Sequence, residues 1–465
     1  MEKENRREVL VPPFPTVFFK ELKDELYEIR YELMKWKDSG ERIGIFTHDD
    51  GDGICSAEIL RCFFDKSLVY IPDRRQVNYG FSREIADLLI SQGISRLIIA
   101  DNALKSIDGI SYARNKGISV ILIDHHMPGR ELPEANILYN PQIEGHFYLK
   151  NQCAAALCYI IVAPICNPAF YEKILCLAAM GTQSDYIPHL GLARSILYHG
   201  FLLFPKIYSI IWNALEENLL QEKWYQTIRI INFLRGTDGK HYGYDLLKNP
   251  VDNFSFISMA VKGLEDQETE IEKIMSIAEI HDNYIIGDFE LLEVEKVGLV
   301  ASRLLRKHGK LSIVIGKQGR GEIRSLPGFS CTDFLELFRD HFSSYGGHLN
   351  AAGFSLKDNL KKDFKEVCDQ ILIEKEIPES SRNEPEYILS PEEYLEIKPS
   401  FVCSMPYGNS NPVPYIRIMK GNYIEKVFRE VKGFEEKRIE IENNLERQGF
   451  IEVFFHGDGL IFAGN

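Results

Sequence analysis

Short apolar runs of strand length recur through the first part of the chain, at residues 43–46, 68–71, 97–100 and 120–123, and alternate with helical stretches such as 82–91. That rhythm predicts a parallel sheet covered by helices. Upstream, Leu22, Leu26, Ile29, Tyr31 and Leu33 recur at roughly helical spacing and predict a helical prelude over 21–36. The longest apolar stretch, 153–165, is too short to span a bilayer and reads as a buried helix. Beyond residue 190 the pattern becomes mostly helical. Residues 265–280 are acidic, lack Pro and Gly, and repeat apolar residues at Ile271, Ile274 and Ile277, which predicts a connecting helix. Strand-like 311–315 and 321–325 lie on either side of a Gly-rich turn, 378–386 reads as a solvated linker, and the C-terminal strand candidates 415–419, 450–455 and 460–463 flank a charged helical stretch over 426–444.

The polar residues that end these runs carry the chemistry. Residues 43–46 lead into His48-Asp49-Asp50-Gly51-Asp52-Gly53, 97–100 into Asp101, 120–123 into Asp124-His125-His126, and the apolar stretch 174–180 leads on to Asp185. Ligands of parallel α/β sheets collect at the carboxyl ends of the strands, so these four segments are expected to converge. One such segment alone reads as an Asp-Gly turn or a polar loop; four in order, each after a strand-like run, favour a site. Carboxylates mixed with imidazole and without cysteine suit Mn²⁺ or Mg²⁺ better than zinc. Two such ions about 3.5–4 Å apart activate a water and neutralise charge on a phosphoryl group. The expected arrangement has Asp101 bridging, His48 and Asp50 on one ion, and Asp52, His125 and Asp185 on the other. Asp101, Asp124 and His126 are the candidate catalytic residues, with His126 facing the phosphate as a donor or acid.

Asp124-His125-His126 resembles the triplet for which the DHH phosphoesterase superfamily is named, and Gly346-Gly347-His348-Leu349-Asn350-Ala351-Ala352-Gly353 is similar to the motif of the DHH-associated domain. Further stretches resemble the RecJ-like single-strand exonucleases of that superfamily: Tyr70-Ile71-Pro72-Asp73-Arg74 followed by Tyr79-Gly80, Asn140-Pro141, and residues 406–414, which are similar to the entry of a C-terminal OB-like domain. The resemblance covers roughly residues 43–418. It implies an α/β fold: a parallel-sheet DHH domain over residues 1–255, a connecting helix over 256–280, a smaller α/β DHH-associated substrate-binding domain over 281–377 across a cleft, and a short OB-like β region over 387–465. It also implies the metal roles above, with two divalent cations, Mn²⁺ preferred and Mg²⁺ allowed.

In the second domain, Gly346 and Gly347 allow backbone N–H groups to approach a phosphate closely, and His348 can donate to one. Arg324, followed by Ser325, offers a bidentate phosphate contact. Arg74, Asn232 and Arg235 are expected as backbone-phosphate contacts. The chain departs from the RecJ-like pattern in three places. Glu322 stands where a small Ser usually precedes the arginine matching Arg324, which sets a carboxylate beside the expected terminal-phosphate pocket. Residues 229–235 match the family's Arg- and Asn-bearing stretch only loosely. His48 occupies a position where many bacterial members have Asp, and imidazole is a competent ligand there.

Composition bounds the setting. At 465 residues the chain is too long for a single ordinary core. Hydrophobic residues at 45% and charged residues at 26% are ordinary globular values, and nine cysteines without a C-x-x-C pair read as thiols in a reducing compartment. The charged start of the chain lacks the apolar core of a signal peptide, so a cytoplasmic protein is expected. A net charge of −14 disfavours wrapping around duplex phosphates and suits a narrow single-strand channel lined locally by Arg and Lys. Candidate stacking aromatics are Tyr407, Tyr415, Phe454 and Phe455, with core packing the alternative for each. The resemblance implies a 5′-to-3′ exonuclease releasing mononucleotides from single-stranded DNA in repair, recombination or replication. It also implies partners such as a single-strand binding protein, a helicase or replication factors, and no membrane. The motifs do not distinguish DNA from RNA. Alternatives are an oligoribonuclease or cyclic-dinucleotide phosphodiesterase, and a noncatalytic replication scaffold.

Overall fold

The computed structural model describes residues 12–463 apart from 21, 73–79, 103, 105, 130, 145–148, 186, 217–219, 237–239, 327, 349, 358–359, 375–386, 404, 406–414, 433 and 457–458. Arg74, Tyr79, the expected linker 378–386 and the motif 406–414, with Tyr407, lie outside the described residues. The chain divides into two compact units, residues 1–261 with 385–465, and residues 262–384.

The first unit is built on five parallel strands, β1 (Ile43–Thr47), β2 (Leu68–Tyr70), β3 (Arg96–Ala100), β4 (Ser119–Ile123) and β5 (Ile137–Tyr139), in the order β2-β1-β3-β4-β5. Ile45, Phe46, Leu97, Ile98, Ile99, Val120, Ile121 and Leu122 are all fully buried. Unbroken apolar strands of this kind need cover on both faces. On one face Phe46, Leu97, Ile99, Val120 and Leu122 pack with Ile85, Ala86 and Leu89 of the helix Arg83–Ser91 and with Ile110 and Ala113 of the helix Ile107–Asn115. The helices Gly51–Phe63 and Ala154–Val162 also pack on the sheet. Ala154–Val162 is buried at every position, as its unrelieved apolar sequence requires. Buried Arg30 donates from Nε and Nη2 to the Ile161 and Ile160 carbonyls at the end of that helix, at 3.1 and 2.9 Å, satisfying acceptors that the helix itself leaves open. Where a helical prelude is expected over 21–36, the helix runs Tyr27–Asp38, after a single turn of helix at Thr16–Phe19; Leu22 and Leu26, counted in that prelude, are buried from the turn that precedes it.

The second unit holds a six-stranded mixed sheet in the order β10-β11-β9-β8-β7-β6: β6 (Glu279–Ile280), β7 (Tyr284–Asp288), β8 (Leu311–Ile315), β9 (Arg320–Arg324), β10 (Phe342–His348) and β11 (Ala351–Leu356). Only β7 and β8 pair in parallel. Phe338, Phe342, Phe354 and Phe364 fill one core cluster. Where a helix is expected over 256–280, the helix runs Ser255–Met275 and the chain then pairs as β6 with β7. The apolar repeat explains the stop: Ile271 packs with Met275, Val297, Val300 and Leu304, whereas Ile277 is exposed.

Residues 387–465, where an OB-like β region is expected, belong to the first unit and form a four-stranded mixed sheet. Its strands are β12 (Tyr387–Leu389), β13 (Tyr415–Met419), β14 (Phe450–His456) and β15 (Gly459–Phe462), in sequential order, with β12 and β13 parallel and the other pairs antiparallel. The charged stretch between β13 and β14 forms two helices, Ile424–Phe428 and Phe434–Gln448. Lys432 pairs with Glu222 of the helix Leu220–Phe233 at 2.5 Å, within the same unit. Phe454 is among the exposed large hydrophobic residues.

Candidate metal centre

Each segment of the site hangs from a fixed element. β1 ends at Thr47, and the helix Gly51–Phe63 starts at once, capped by Asp50, whose Oδ1 accepts from Gly53 N at 3.1 Å. Asp101 follows β3 directly and Asp124 follows β4. Asp185 differs from the expectation of a strand end. The run 174–180 lies inside the helix Tyr171–Ser184, and Asp185 is its C-cap. A short apolar run has the same composition in a buried helix as in a buried strand.

These elements bring all the expected ligands together. Ligand atoms of His48, Asp50 and Asp101 lie within 4.8 Å of one another, as do those of Asp52, His125 and Asp185, and those of Asp101, Asp124, His125 and His126. His48 Nδ1 is 2.6 Å from Asp50 Oδ2. His125 Nε2 stands 3.3 Å from Asp101 Oδ1 and 3.7 Å from Asp52 Oδ2, and its Nδ1 is 3.7 Å from Asp185 Oδ2. Asp101 and His125 each fall in two of the three groups.

The electrostatics call for cations. Burial pushes the Asp101 carboxyl well above the usual range, and the charges of Asp52, Asp50, Asp124 and Asp185 add to this. Asp185 is pushed up to about 8 by burial and by Asp52 and Asp50, while burial lowers His125, keeping it a neutral imidazole. Carboxylates crowded in this way hold their negative charge only with positive charge among them. Two features of Asp101 fit the same demand. Its Oδ2 is buried with no hydrogen-bond partner among the described residues, and its backbone sits at φ 58°, a left-handed conformation that costs a non-glycine residue about 1–3 kcal/mol.

Other residues aim the site rather than complete it. Asp124 Oδ1 accepts from the amides of His125 (2.8 Å) and His126 (3.1 Å) and from His126 Nδ1 (2.8 Å). Burial acts to raise Asp124, but the hydrogen bond and positive charge of His126 outweigh it and leave the carboxyl lowered. The same hydrogen bond raises His126, whose ring is about half exposed, 47%. Asp52 accepts at 2.8 Å from the amides of both Ala154 and Ala155, so the N-terminus of the helix Ala154–Val162 stabilises its charge. Gly181 makes room for this: a Cβ there would stand 2.7 Å from Asp52 Oδ1 and 2.5 Å from the Ala155 Cβ.

Asn232 and Arg235, expected as phosphate contacts, are turned inward onto the metal loop. Asn232 Oδ1 accepts from Gly51 N at 2.9 Å, and its Nδ2 donates to Ser184 Oγ and the Ile228 carbonyl, each at 2.9 Å. Arg235 Nη1 pairs with the buried Asp49 Oδ2 at 2.5 Å and also donates to the Asp49 carbonyl. His241 Nε2 donates to that carbonyl at 3.1 Å while its Nδ1 accepts from Tyr244 N at 3.3 Å, which fixes the tautomer; burial and the Arg235 charge push it down to about 4. Asp49, Gly181 and His241 carry no signal in the sequence that sets them apart. Their roles come from partners far away in the chain.

In the second unit Arg324 and Ser325 are likewise engaged. Arg324 Nη1 donates to Glu322 Oε2 at 2.6 Å and to the Ile323 carbonyl at 3.0 Å. Ser325 Oγ donates to the Phe329 carbonyl at 3.0 Å and accepts from Asn350 Nδ2 at 3.2 Å. Gly346, Gly347 and His348 end β10, opposite Gly353, Ala352 and Ala351 of β11, and a Cβ at Gly346 would meet nothing within 4 Å.

A parallel sheet whose strand ends gather carboxylates and imidazoles around a place for divalent cations defines the class of the first unit. Residues 42–182 match the family model for the DHH family, N-terminal domain. Over 413 residues the chain is 25% identical to the single-stranded-DNA-specific exonuclease RecJ of Bacillus subtilis (strain 168), covering 81% of this chain and 52% of that protein. The crystal structure of RecJ in complex with Mn²⁺ from Thermus thermophilus matches with a TM-score of 0.70 at 21% identity, over 85% of this chain and 61% of that one. Its complex with Mg²⁺ matches with a TM-score of 0.63 at 20% identity, over 84% and 59%. Residues 42–182 thus carry a DHH-family domain, the chain is similar to RecJ proteins over most of its length, and it spans about half the length of the Bacillus relative. Among the described residues no helix is long and apolar enough to cross a membrane.

Proposed function

We propose that this protein is a metal-dependent exonuclease that hydrolyses the phosphodiester bonds of single-stranded DNA from the 5′ end and releases mononucleotides. The observation that carries the reading is the gathering of His48, Asp50 and Asp101, and of Asp52, His125 and Asp185, into two adjacent ligand groups. Two divalent cations, Mn²⁺ before Mg²⁺, would be held there, with Asp101 between them. When bound they supply Lewis acidity to a water and neutralise charge on the phosphoryl oxygens. The protein's own part is to position and to move protons. Asp124 anchors His126 through Nδ1, so the raised, half-exposed imidazolium presents its other nitrogen to a phosphate oxygen as donor or acid. Asn232, Arg235 and His241 fix the backbone of the 49–51 loop, which keeps Asp50 and Asp52 at their posts. In the second unit, the strand ends carrying Arg324, Gly346 and His348 contribute to nucleic-acid binding.

The similarity to proteins named single-stranded-DNA-specific exonucleases supports the substrate, and the net charge of −14 supports a single strand over a duplex. A cytoplasmic setting belongs to the same reading, supported by eight free cysteines among the described residues. So do a single-strand binding protein, a helicase or replication factors as partners, supported by resemblance. The test is incubation with Mn²⁺ and single-stranded DNA labelled at the 5′ or the 3′ end. Immediate release of a labelled mononucleotide from the 5′ end, with gradual shortening of the 3′-labelled strand, is expected. Cleavage confined to dinucleotides or cyclic dinucleotides, or no cleavage with metal bound, would overturn the reading in favour of a short-substrate phosphodiesterase or a scaffold.

A further inference from the structure

The helix Tyr27–Asp38 buries one face and leaves the other bare. Ile29, Arg30, Leu33 and Trp36 are buried, while Tyr27, Tyr31 and Met34 are 65%, 60% and 38% exposed. Their spacing of four and three residues puts them on one stripe, and the rings of Tyr27 and Tyr31 stack at 6.2 Å. Single exposed apolar residues are ordinary, but two tyrosines and a methionine in one stripe have the composition of a protein interface. With about 3.6 residues per turn, Tyr27 and Met34 fall on one flank of Tyr31, and Glu28 and Lys35, both exposed, fall on the other. Lys35 reaches back to Glu32 at 3.1 Å, an exposed pair of little worth that a better partner replaces.

This order of residues is complementary to itself. When two copies of a helix pack antiparallel about a two-fold axis, each residue meets the one equally far beyond the centre, and each flank meets the same flank of the other copy. With the axis at Tyr31, Glu28 of each copy faces Lys35 of the other on one flank. Tyr27 faces Met34 on the second flank, and the two Tyr31 rings meet between them. A parallel pair would set Glu28 and Lys35 against Tyr27 and Met34 instead, and lose both ion pairs. The whole chain carries a net charge of −14, so copies repel one another at long range and a contact between them needs opposite charges of its own. We propose that this face joins two copies of the chain, through antiparallel pairing of their Tyr27–Asp38 helices about a two-fold axis at Tyr31. One helix against one helix is a small contact, so the dimer is weak and its population depends on concentration. The inference is independent of the nuclease activity proposed above.

Sedimentation velocity of the full-length protein, from low to high micromolar concentration, measures the dimerisation constant. The wild type is expected to pass from monomer to dimer over that range. Glu28→Lys alone sets lysine against lysine at both symmetric positions, and Lys35→Glu alone sets carboxylate against carboxylate, so each is expected to weaken the dimer about tenfold or more. The double variant, Glu28→Lys with Lys35→Glu, restores both pairs in reversed order and is expected to return to within about threefold of the wild type. Tyr31→Glu places two carboxylates at the axis and is expected to leave only monomer. Thermal melts establish that each variant is folded. A wild type that stays monomeric throughout would overturn the proposal and leave this face to a different partner. A dimer that both single reversals leave unchanged would overturn it by placing the contact elsewhere, and a double variant as weak as the single ones would overturn the antiparallel register on which it stands.

Discussion

Replacing Asp185 with Asn should make the metal-free protein more stable while removing a metal ligand. In the folded chain Asp185 is pushed from an ordinary 3.8 up to about 8 by burial and by Asp52 and Asp50. The folded state therefore binds this proton more tightly than the unfolded state. Below about pH 4 the carboxyl is protonated in both and costs nothing. As pH rises from about 4 to about 8 the cost of a buried, like-charged carboxylate grows, and metal-free stability falls. At 1.36 kcal/mol per tenfold change in proton affinity the full shift corresponds to about 6 kcal/mol. The side chain is 33% exposed, so water screening reduces this to about 2–3 kcal/mol. Urea unfolding across pH 4–8 in EDTA measures it. Asp185→Asn should match the wild type near pH 4, exceed it by about 2 kcal/mol at pH 8, and lose most of the stabilisation that saturating Mn²⁺ gives the wild type, about 2.7 kcal/mol at a hundredfold excess over Kd. A variant no more stable than wild type at pH 8, with an unchanged pH slope, would refute the placement of Asp185 among these carboxylates.

Arg235→Met leaves the buried Asp49 carboxylate without its guanidinium and should cost about 3 kcal/mol, read as a lower urea midpoint together with weaker Mn²⁺ binding; unchanged Mn²⁺ affinity would show that the loop is not held from this side. His126→Ala should lower kcat about 10²- to 10⁴-fold while Mn²⁺ affinity by titration stays near wild type, because His126 is held by Asp124 and sits outside the two proposed ion groups. Gly181→Ala puts a methyl 2.7 Å from Asp52 Oδ1, so Mn²⁺ affinity should fall while helix propensity improves by up to about 1 kcal/mol; wild-type metal binding in this variant would mean that Asp52 has room to move.

Four of the five strands of the first sheet were legible because each is a short apolar run bounded by turn residues, and their observed limits differ from the expected ones by a residue at most at either end, whereas the three-residue edge strand β5 (Ile137–Tyr139) was not expected. The gathering of the candidate ligands from His48 to His125 was legible because side chains that follow strands in a parallel sheet meet at one edge. What escaped has a common physical origin. Asp185 belongs to a helix because the run before it extends over the helix Tyr171–Ser184, and composition alone does not separate a buried helix from a buried strand. Asn232 and Arg235 read as phosphate contacts since both are polar donors near a family motif; only the fold reveals that Gly51 N and Asp49 already take them. Glu322 was legible as an intruder beside Arg324, and the structure adds that the two pair directly.

Three separate costs fall on Asp101: a left-handed backbone, a carboxyl raised by burial among other carboxylates, and a buried oxygen without a partner among the described residues. Its amide still donates to the Ile123 carbonyl at 3.1 Å, extending the pairing of β3 and β4 by one residue before the chain turns. The strain is thus confined to a single residue held by the rigid end of the sheet. A glycine would satisfy that backbone conformation without penalty, and any apolar residue would be cheaper to bury than a carboxylate. None of these costs is offset inside the metal-free protein. The two electrostatic costs would be reduced by one event, the arrival of divalent positive charge beside the Asp101 carboxyl, whereas the backbone strain would remain. A buried carboxylate whose charge only a bound cation would balance is the mark, from the side of stability, of the metal site proposed above.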